Sequence, residues 1–458
     1  MSKKLLLLLP ITLLISIFLL FKLDSLAIRL SDTNIYFYTA KELLAGNVLY
    51  KDIFFTNFPL VPYVASFYFL ISKGSLLFYY FTASMEVGLT AMLLFWIVYR
   101  QWQSRLLALL TAVLYLFSFM VLATTQHQTG VFLASLCITA SYFFLKRKQY
   151  TLTGVFTALA FLTKAYTLPL LLTYCLYLFI KQKKMLLPFL LGTIGTGVIV
   201  LLPSLLLAPK EFLTDVFAYS LTRSQGISKK EILWFILRHD FLFVVLLFFN
   251  MLTLRKNLLF GLFSLFGLLF FILYQDTYYL YLNILLPFLC LSFPLLIQFV
   301  TIHFSINRFM IPTVIGVFIV INIFSYFSGG FTSLQKLSSL PEMVQLIQQE
   351  KPKVLYGVNG VVQALSYTSG VPLLHNLLDT NDNIFRKGYL NAKTLTADAI
   401  DQQALIVTTG AWYPQTGVEQ DVLTEIVDQD QLRKNCNLKK RFFFQSEGIV
   451  NAITFFRC

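Results

Sequence analysis

Residues 23–63 read LDSLAIRLSDTNIYFYTAKELLAGNVLYKDIFFTNFPLVPY. This stretch is the longest polar, charge-bearing interruption in the first two-thirds of an otherwise apolar sequence, and it follows directly on the first apolar run. Asp24, Asp32, Glu42 and Asp52 stand in it beside Arg29, Lys41 and Lys51. Acids close to a membrane cost free energy unless they face water or a polar cavity, so a cluster of them needs a reason. The loop reads as half of an active site on the outer face of a membrane, held there by the rest of the chain.

Composition sets the class. Of 458 residues, 57% are apolar and only 13% are charged. The mean hydropathy is +0.72. Apolar runs long enough to cross about 30 Å of hydrocarbon recur along the chain, which marks a polytopic helical membrane protein. The formal charge of +14 would suit a nucleic-acid partner if it formed one face. It comes instead as short basic clusters between apolar runs, the pattern of membrane orientation. There is no Cys-x-x-Cys pair and His is scarce, which argues against a zinc site. Cys137, Cys175 and Cys290 lie in apolar runs and read as packing residues, whereas Cys436 and Cys458 lie in the polar tail and could pair. The N-terminus, MSKKLLLLLPITLLISIFLLFKL, has a basic start and an apolar run longer than a usual signal core. It reads as an uncleaved signal anchor in preference to a secretory signal cut near Ser25-Leu26-Ala27.

Cytoplasmic charge counting then orders the spans. Residues 5–23 cross first, which leaves the loop 24–59 outside. Residues 60–72 are apolar but number only about thirteen, too few to span. Arg100 and Arg105 place the loop after 76–99 inside, so only one crossing fits between Pro59 and Arg100. Residues 36–45 and 60–72 are therefore expected as helices at the outer interface, with Tyr63, Phe67 and Tyr68 as interfacial aromatics. Residues 106–123 lead out and 131–145 return. Residues 151–184 are basic at both ends and read as a hairpin of two short helices, whose tip is Thr163-Lys164-Ala165-Tyr166. Runs 185–207, 232–254, 258–274, 280–300 and 309–327 complete about eleven spans. The inner loops so defined hold thirteen Lys and Arg residues, from Lys3 to Arg308, and no acid. Every loop carrying acids falls on the outer side.

From Gly329-Gly330 the composition turns polar. Residues 334–350 read as a helix, 354–358 and 404–408 as buried strands, and 442–445 with 450–455 as late strands. Asn359-Gly360 and Thr409-Gly410 are turn signals after strands. The expected organisation is a membrane domain over 1–328, with outer loops 24–59 and 208–231, and a small extracytoplasmic α/β domain over 329–458. The chain would be multi-pass in the plasma membrane, with its N-terminus in the cytoplasm.

Several residues could carry chemistry, each against a plainer reading. Asp32 follows the first span closely and could take a proton from an acceptor hydroxyl or hold a cation; the plain alternative is a solvated loop acid. Lys164 between two apolar helices is costly unless it pairs or snorkels, and a lipid phosphate would satisfy it. Glu86 falls near mid-bilayer, where a structural hydrogen bond is the better account. Lys210 and Arg223 could meet phosphate, although most loop cations are solvated. Tyr278 and Tyr279 could stack on a sugar or prenyl chain, but tyrosines are common at membrane interfaces. His127 reads as a loop residue. Asp215 and Asp276 could complete a divalent-cation site with Asp32, and metal dependence stays open.

A resemblance covers most of residues 1–327. The run Ser31-Asp32-Thr-Asn-Ile-Tyr36, Ala40 to Gly46, Leu49-Tyr50-Lys51-Asp52, then Asn57-Phe58-Pro59-Leu60 and Tyr63, resembles the first outer loop of GT-C type glycosyltransferases. These include the protein O-mannosyltransferase and aminoarabinose-transferase groups. Residues 150–164, ending Leu-Thr-Lys164, are similar to a Gly-rich hairpin of those families, and Tyr278-Tyr279 through Leu286-Pro287-Phe288 to a late span. The resemblance implies an inverting hexosyl- or pentosyltransferase. Its donor would be a polyprenyl-phosphate sugar and its acceptor a lipid, glycan or protein hydroxyl, with Asp32 as the loop acid. Lys51, Asn57, Tyr63, Lys164, Arg223 and Tyr279 are the donor-binding candidates. Two departures stand out: Thr33 replaces a second acid, and Asn57-Phe58 stand where a basic residue often precedes the Pro. The rival from another class is a lipid or glycan transporter or flippase, which would spread ionisable residues through several spans. A scaffold that merely presents the tail domain is a further rival.

Overall fold

The computed structural model describes residues 3–219, 226–304, 310–328, 336–380, 382–413, 418–421, 425–446 and 449–458. The expected linker at 329–330 lies outside them. Helix α1 (Lys3–Asp24) is followed by α2 (Asp32–Leu44), α3 (Leu60–Ile71) and α4 (Leu76–Trp102). Then come α5 (Arg105–Leu116), α6 (Phe119–Thr124), α7 (Val131–Lys146), α8 (Tyr150–Thr163), α9 (Leu168–Lys181) and α10 (Lys183–Leu207). Among the described residues, four helices are long and apolar enough to cross a membrane unbroken, and a bent pair would make a fifth. Six shorter apolar helices accompany them.

The outward faces explain why so apolar a chain needs lipid. On α10, Leu187, Leu191 and Ile194 are 64%, 62% and 60% exposed, at spacings that put them on one side of the helix. A water-soluble monomer does not leave stripes of that extent uncovered. Helix α10 meets α8 by close backbone approach. A Cβ at Gly154 would stand 2.0 Å from Phe189 O, and one at Gly192 would stand 2.1 Å from Thr151 O. Reciprocal glycines let two apolar helices touch backbone to backbone, a common device where lipid removes any hydrophobic drive to associate.

Two of the expected continuous spans are broken. Residues 106–123 divide into α5 and α6, with Ser118 Oγ accepting from Val121 N at 3.2 Å. Residues 232–254 divide at Asp240 into Lys229–His239 and Phe241–Leu252, which are bent by 105°. The two breaks meet. The buried Asp240 carboxylate accepts from Phe119 N at 2.9 Å and Met120 N at 2.7 Å, with Asn322 Nδ2 at 3.3 Å. A buried acid thus satisfies the open N–H groups at the start of α6. The late span likewise begins as a 3₁₀ turn, Tyr279–Ile284, before the helix Leu286–Phe304.

The C-terminal region carries a five-stranded sheet in the order β1-β2-β5-β4, with β3 on the far end of β2. The strands are β1 (Leu355–Gly357), β2 (Leu405–Tyr413), β3 (Val418–Asp421), β4 (Asn437–Ser446) and β5 (Ile449–Arg457). Only β1 and β2 run parallel; the other pairs are antiparallel. Cys436 and Cys458 are joined by a disulfide, beside the Asn437–Arg457 pair that opens the β4–β5 ladder. Helix Leu340–Glu350 starts six residues later than the expected 334, although 331–335 lie outside the described residues. Strand β3 had no sequence signal.

The first loop does not stand apart from this sheet. Tyr36, Phe37 and Tyr38 of α2 share one buried core with Leu340, Ile347, Leu355, Val361, Leu365 and Phe455. Phe37 packs on both Phe69, at 5.0 Å, and Tyr367, at 4.9 Å, whose rings are themselves 6.2 Å apart. Ser366 Oγ donates to Tyr38 Oη at 3.0 Å, and Leu337 N donates to Ile28 O at 3.0 Å. That is why α2 is buried all round where a surface helix would keep one polar face.

Candidate active site

A cavity of about 300 Å³ lies where the first loop, the tip between α8 and α9, the loop before Leu286 and the end of β1 converge. Each wall has a local cause. Helix α2 starts at Ser31, whose Oγ accepts from Thr33 N at 3.2 Å, so Asp32 falls in the first turn and faces the cavity. A carboxylate is favoured at that end of a helix. Behind it, Asn34 Nδ2 donates to Arg29 O at 2.8 Å and to Gly360 O at 2.5 Å, and Tyr80 Oη lies 2.9 Å from Asn34 Oδ1.

The second wall is residues 47–57. Tyr50 has φ 71° and is buried, its N–H donating to Ile53 O at 2.9 Å and its Oη to Asn57 O at 2.7 Å. Asp52 Oδ2 accepts from Val48 N at 2.8 Å. This tight turn presents Phe55, Thr56 and Asn57 to the cavity. Lys51, at its apex, is exposed and does not line it.

The third wall is Lys164. Helix α8 stops at Thr163, and Lys164 is extended at φ −146°, ψ 116° before a 3₁₀ turn. Pro169 in the first turn of α9 supplies the break, since proline fits a helix start but not its interior. The backbone is satisfied at the break, with Lys164 N donating to Ala160 O at 2.9 Å and Thr167 N to Lys164 O at 3.0 Å. Lys164 is 6% exposed; its Nζ donates to Tyr36 Oη at 3.3 Å and sits 5.3 Å from the Tyr36 ring centre. At the other end of the two helices, Tyr150 Oη donates to Gln182 Oε1, closing the base of a hairpin. Helix α8 puts that base about 20 Å from Lys164 at 1.5 Å per residue.

Aromatic rings and two further acids complete the lining. Tyr166 stacks on Tyr281 at 4.0 Å, and Tyr278 meets Tyr281 edge-on at 5.7 Å. Asp276 lies in a loop held by Gly226 N to Gln275 O at 3.2 Å and Ile227 N to Thr277 O at 3.0 Å. Asn359 and Asp379 reach in from the sheet region, with Asn359 Nδ2 donating to Asp379 Oδ1 at 3.2 Å.

The sequence-derived candidates therefore divide. Asp32, Asn57, Lys164 and Asp276 line one cavity. Tyr63 is half-buried on α3 and packs into the shared core. The Tyr279 ring packs on Phe235 at 4.2 Å, while its neighbours Tyr278 and Tyr281 take the lining positions. Arg223 lies outside the described residues. Asp215 is behind the lining, its Oδ2 3.5 Å from Phe55 N, and burial, helped by Glu211, pushes its carboxyl up to about 7. No group of three or more His, Cys, Asp or Glu side chains able to hold a metal occurs among the described residues. Sequence reasoning did not single out Asn359 or Asp379. Their one available signal was Asn359-Gly360 after a buried strand, because open α/β sheets bind ligands at strand carboxyl ends.

Glu86 and His127 belong to a buried polar chain below Asp32. His127 Nδ1 and Ser31 Oγ are 2.9 Å apart, and Gln128 N donates to Thr33 Oγ1 at 2.9 Å. Gln128 Nε2 and Tyr68 Oη donate to Glu86 Oε1 at 2.9 and 3.0 Å. Burial, helped by the Arg29 charge, lowers the His127 imidazole to about 4, so it is neutral at neutral pH. This chain fixes the turn on which Asp32 stands.

No protein-family model matches the chain, and no curated protein matches it. Among solved structures, the crystal structure of ArnT from Cupriavidus metallidurans bound to undecaprenyl phosphate is similar to it. The match covers 97% of each chain at 13% identity, with a TM-score of 0.63. At that identity the likeness is one of fold, and it includes both the helical part and the sheet-bearing C-terminal region.

Proposed function

We infer that this protein transfers a sugar, a hexose or pentose, from a polyprenyl-phosphate donor to an acceptor hydroxyl at the outer face of the membrane. The observation that carries the reading is the meeting of Asp32 and Lys164 on one cavity, built on a fold shared with a protein crystallised with undecaprenyl phosphate. ArnT is a GT-C aminoarabinose transferase, in line with the resemblance of residues 31–63 and 150–164 to that superfamily. The Cys436–Cys458 disulfide supports an extracytoplasmic place for the C-terminal α/β domain, since such bonds persist in oxidising compartments.

The mechanism is a single displacement with inversion. The acceptor oxygen attacks the anomeric carbon while its proton passes to the Asp32 carboxylate. The bond from that carbon to the phosphate oxygen breaks, and the electron pair leaves with the prenyl phosphate. Lys164 Nζ, in a site shielded from water, balances the charge that grows on the departing phosphate. Positive charge from Lys164 serves where a metal otherwise would, so turnover is expected to survive EDTA. Asp32 and Asp276 are the acids to re-examine if it does not.

The test is Asp32→Asn and Asp32→Ala in membranes given a labelled prenyl-phosphate sugar. Transfer should fall by about 10²- to 10⁴-fold, the usual worth of a positioned general base. Undiminished transfer by a folded variant removes Asp32 from the mechanism. Movement of the lipid-linked sugar across vesicles without transfer would favour the transporter reading.

A further inference from the structure

We propose that the C-terminal region is the sugar-reading wall of this site, with Asp379 and Asn359 as the residues that recognise vicinal hydroxyls on a saccharide ring. The proposal rests on the glycosyl-transfer reading above and names residues for its substrate specificity.

The pair is built at the carboxyl end of β1. Gly357 ends the strand, and Asn359 follows in the turn. Asp379 arrives from a loop tied to the same end, where Thr380 Oγ1 donates to Gly357 O at 2.7 Å. The buried Gln363 amide locks both pieces. Its Nε2 donates to Asn359 Oδ1 at 3.1 Å and to Leu378 O at 2.5 Å, and its Oε1 accepts from Gly360 N at 2.7 Å. Asn359 Nδ2 is thereby aimed at Asp379 Oδ1, 3.2 Å away. A carboxylate held beside a carboxamide offers acceptors and a donor at fixed spacing, the pattern that adjacent ring hydroxyls complete.

The wall is also held in register with the reacting groups. Gly360 has φ +77°, and a Cβ there would stand 2.9 Å from Ser31 O. Asn34 bonds Gly360 O from the other side. So the turn bearing Asn359 sits on the residue preceding Asp32. The Tyr166–Tyr281 stack and Tyr278 add an aromatic wall, onto which the apolar face of a sugar ring can pack. One hydrogen-bonding chemistry serves either the sugar being transferred or a saccharide acceptor, and the experiment separates them.

The experiment uses the full chain in detergent micelles. Wild type, Asp379→Ala, Asp379→Asn and Asn359→Ala are each titrated with undecaprenyl phosphate and with undecaprenyl-phosphate-linked hexose or pentose. Each is then assayed for transfer to a saccharide acceptor. The expected result is unchanged affinity for the sugar-free lipid in all variants. If the wall reads the donor, the extra affinity that the sugar gives falls about 10- to 100-fold, the worth of a charged hydrogen bond. If it reads the acceptor, donor affinity holds and the acceptor KM rises by that factor with a smaller change in kcat. Variants equal to wild type in both arms overturn the inference and leave the transfer reading intact. A wild type that gains nothing from the sugar and transfers nothing overturns both, and the two failures are told apart by which protein shows them.

Discussion

The two sides of the cavity are built differently. The membrane side offers Lys164 at a helix break, buried in an apolar run, and Asp32 at a helix start, in the polar interruption that follows the first apolar run. The sheet side offers Asn359 and Asp379 in turns of a region where polar residues are ordinary. A charge in an apolar setting needs a partner or a function, so it announces itself. A carboxylate in a polar loop costs little, so it does not. The sides should also differ in role: the membrane side handles charge on a lipid phosphate, and the sheet side selects among neutral hydroxyls.

The sharpest way to break that division is Lys164→Ala. Loss of the cation opposite a leaving phosphate should reduce kcat/KM for the lipid-linked donor by about 10²- to 10³-fold, comparable to removing an oxyanion donor. Affinity for sugar-free undecaprenyl phosphate should fall with it, measured by titration in micelles. Lys164→Arg should recover part of the loss, since charge is kept but the compact ammonium is not. Normal phosphate affinity in Lys164→Ala would end the division of labour. Asp379→Ala is the mirror case, with sugar dependence lost and phosphate affinity kept.

The same contrast explains what could be read from the sequence. Charge counting places the first loop, the tip of the hairpin 151–184 and Asp276 at one end of the bundle, and the structure brings Asp32, Lys164 and Asp276 onto one cavity. Four of the five strands also overlap the runs expected for them, although Thr409-Gly410, expected as a turn after a strand, lies inside β2 and pairs with Ile453 and Ala452 of β5. The breaks at Ser118 and Asp240 were not legible. Each is settled by the other, through hydrogen bonds between residues about 120 positions apart, and hydropathy has no term for that. Lys51 and Tyr63 enter the donor set through the resemblance of residues 31–63; the tight turn around Tyr50 sends Lys51 outward instead. Likewise, nothing local predicts that residue 360 packs on residue 31.

Gly360→Ala tests that packing directly. A left-handed alanine costs about 1 kcal/mol wherever it occurs. Gly370 shares φ +77° but has nothing within 4 Å of its Cβ position, so Gly370→Ala carries the strain without the contact. Both variants should lose a similar amount of thermal stability from backbone strain. Only Gly360→Ala should also shift the two walls against each other and reduce transfer, by about tenfold for a displacement of an ångström or less. Equal activity in the two variants would mean that the walls tolerate misregister and act independently.

The smallest expected effect concerns Asp215, which stands behind the lining on neither wall. Its carboxyl titrates near 7 in the folded protein because burial disfavours the charged form, with Glu211 adding to the shift. In the unfolded chain it loses its proton near 4. Between those values the folded state holds the extra proton, so raising the pH through this window destabilises the fold. Below it, both states are protonated and the penalty vanishes. Asp215→Asn keeps the shape and stays neutral. It should raise the thermal midpoint by roughly 2 °C at pH 8. The gain should shrink steadily as the pH is lowered toward 5, read by the unfolding midpoint in detergent at each pH.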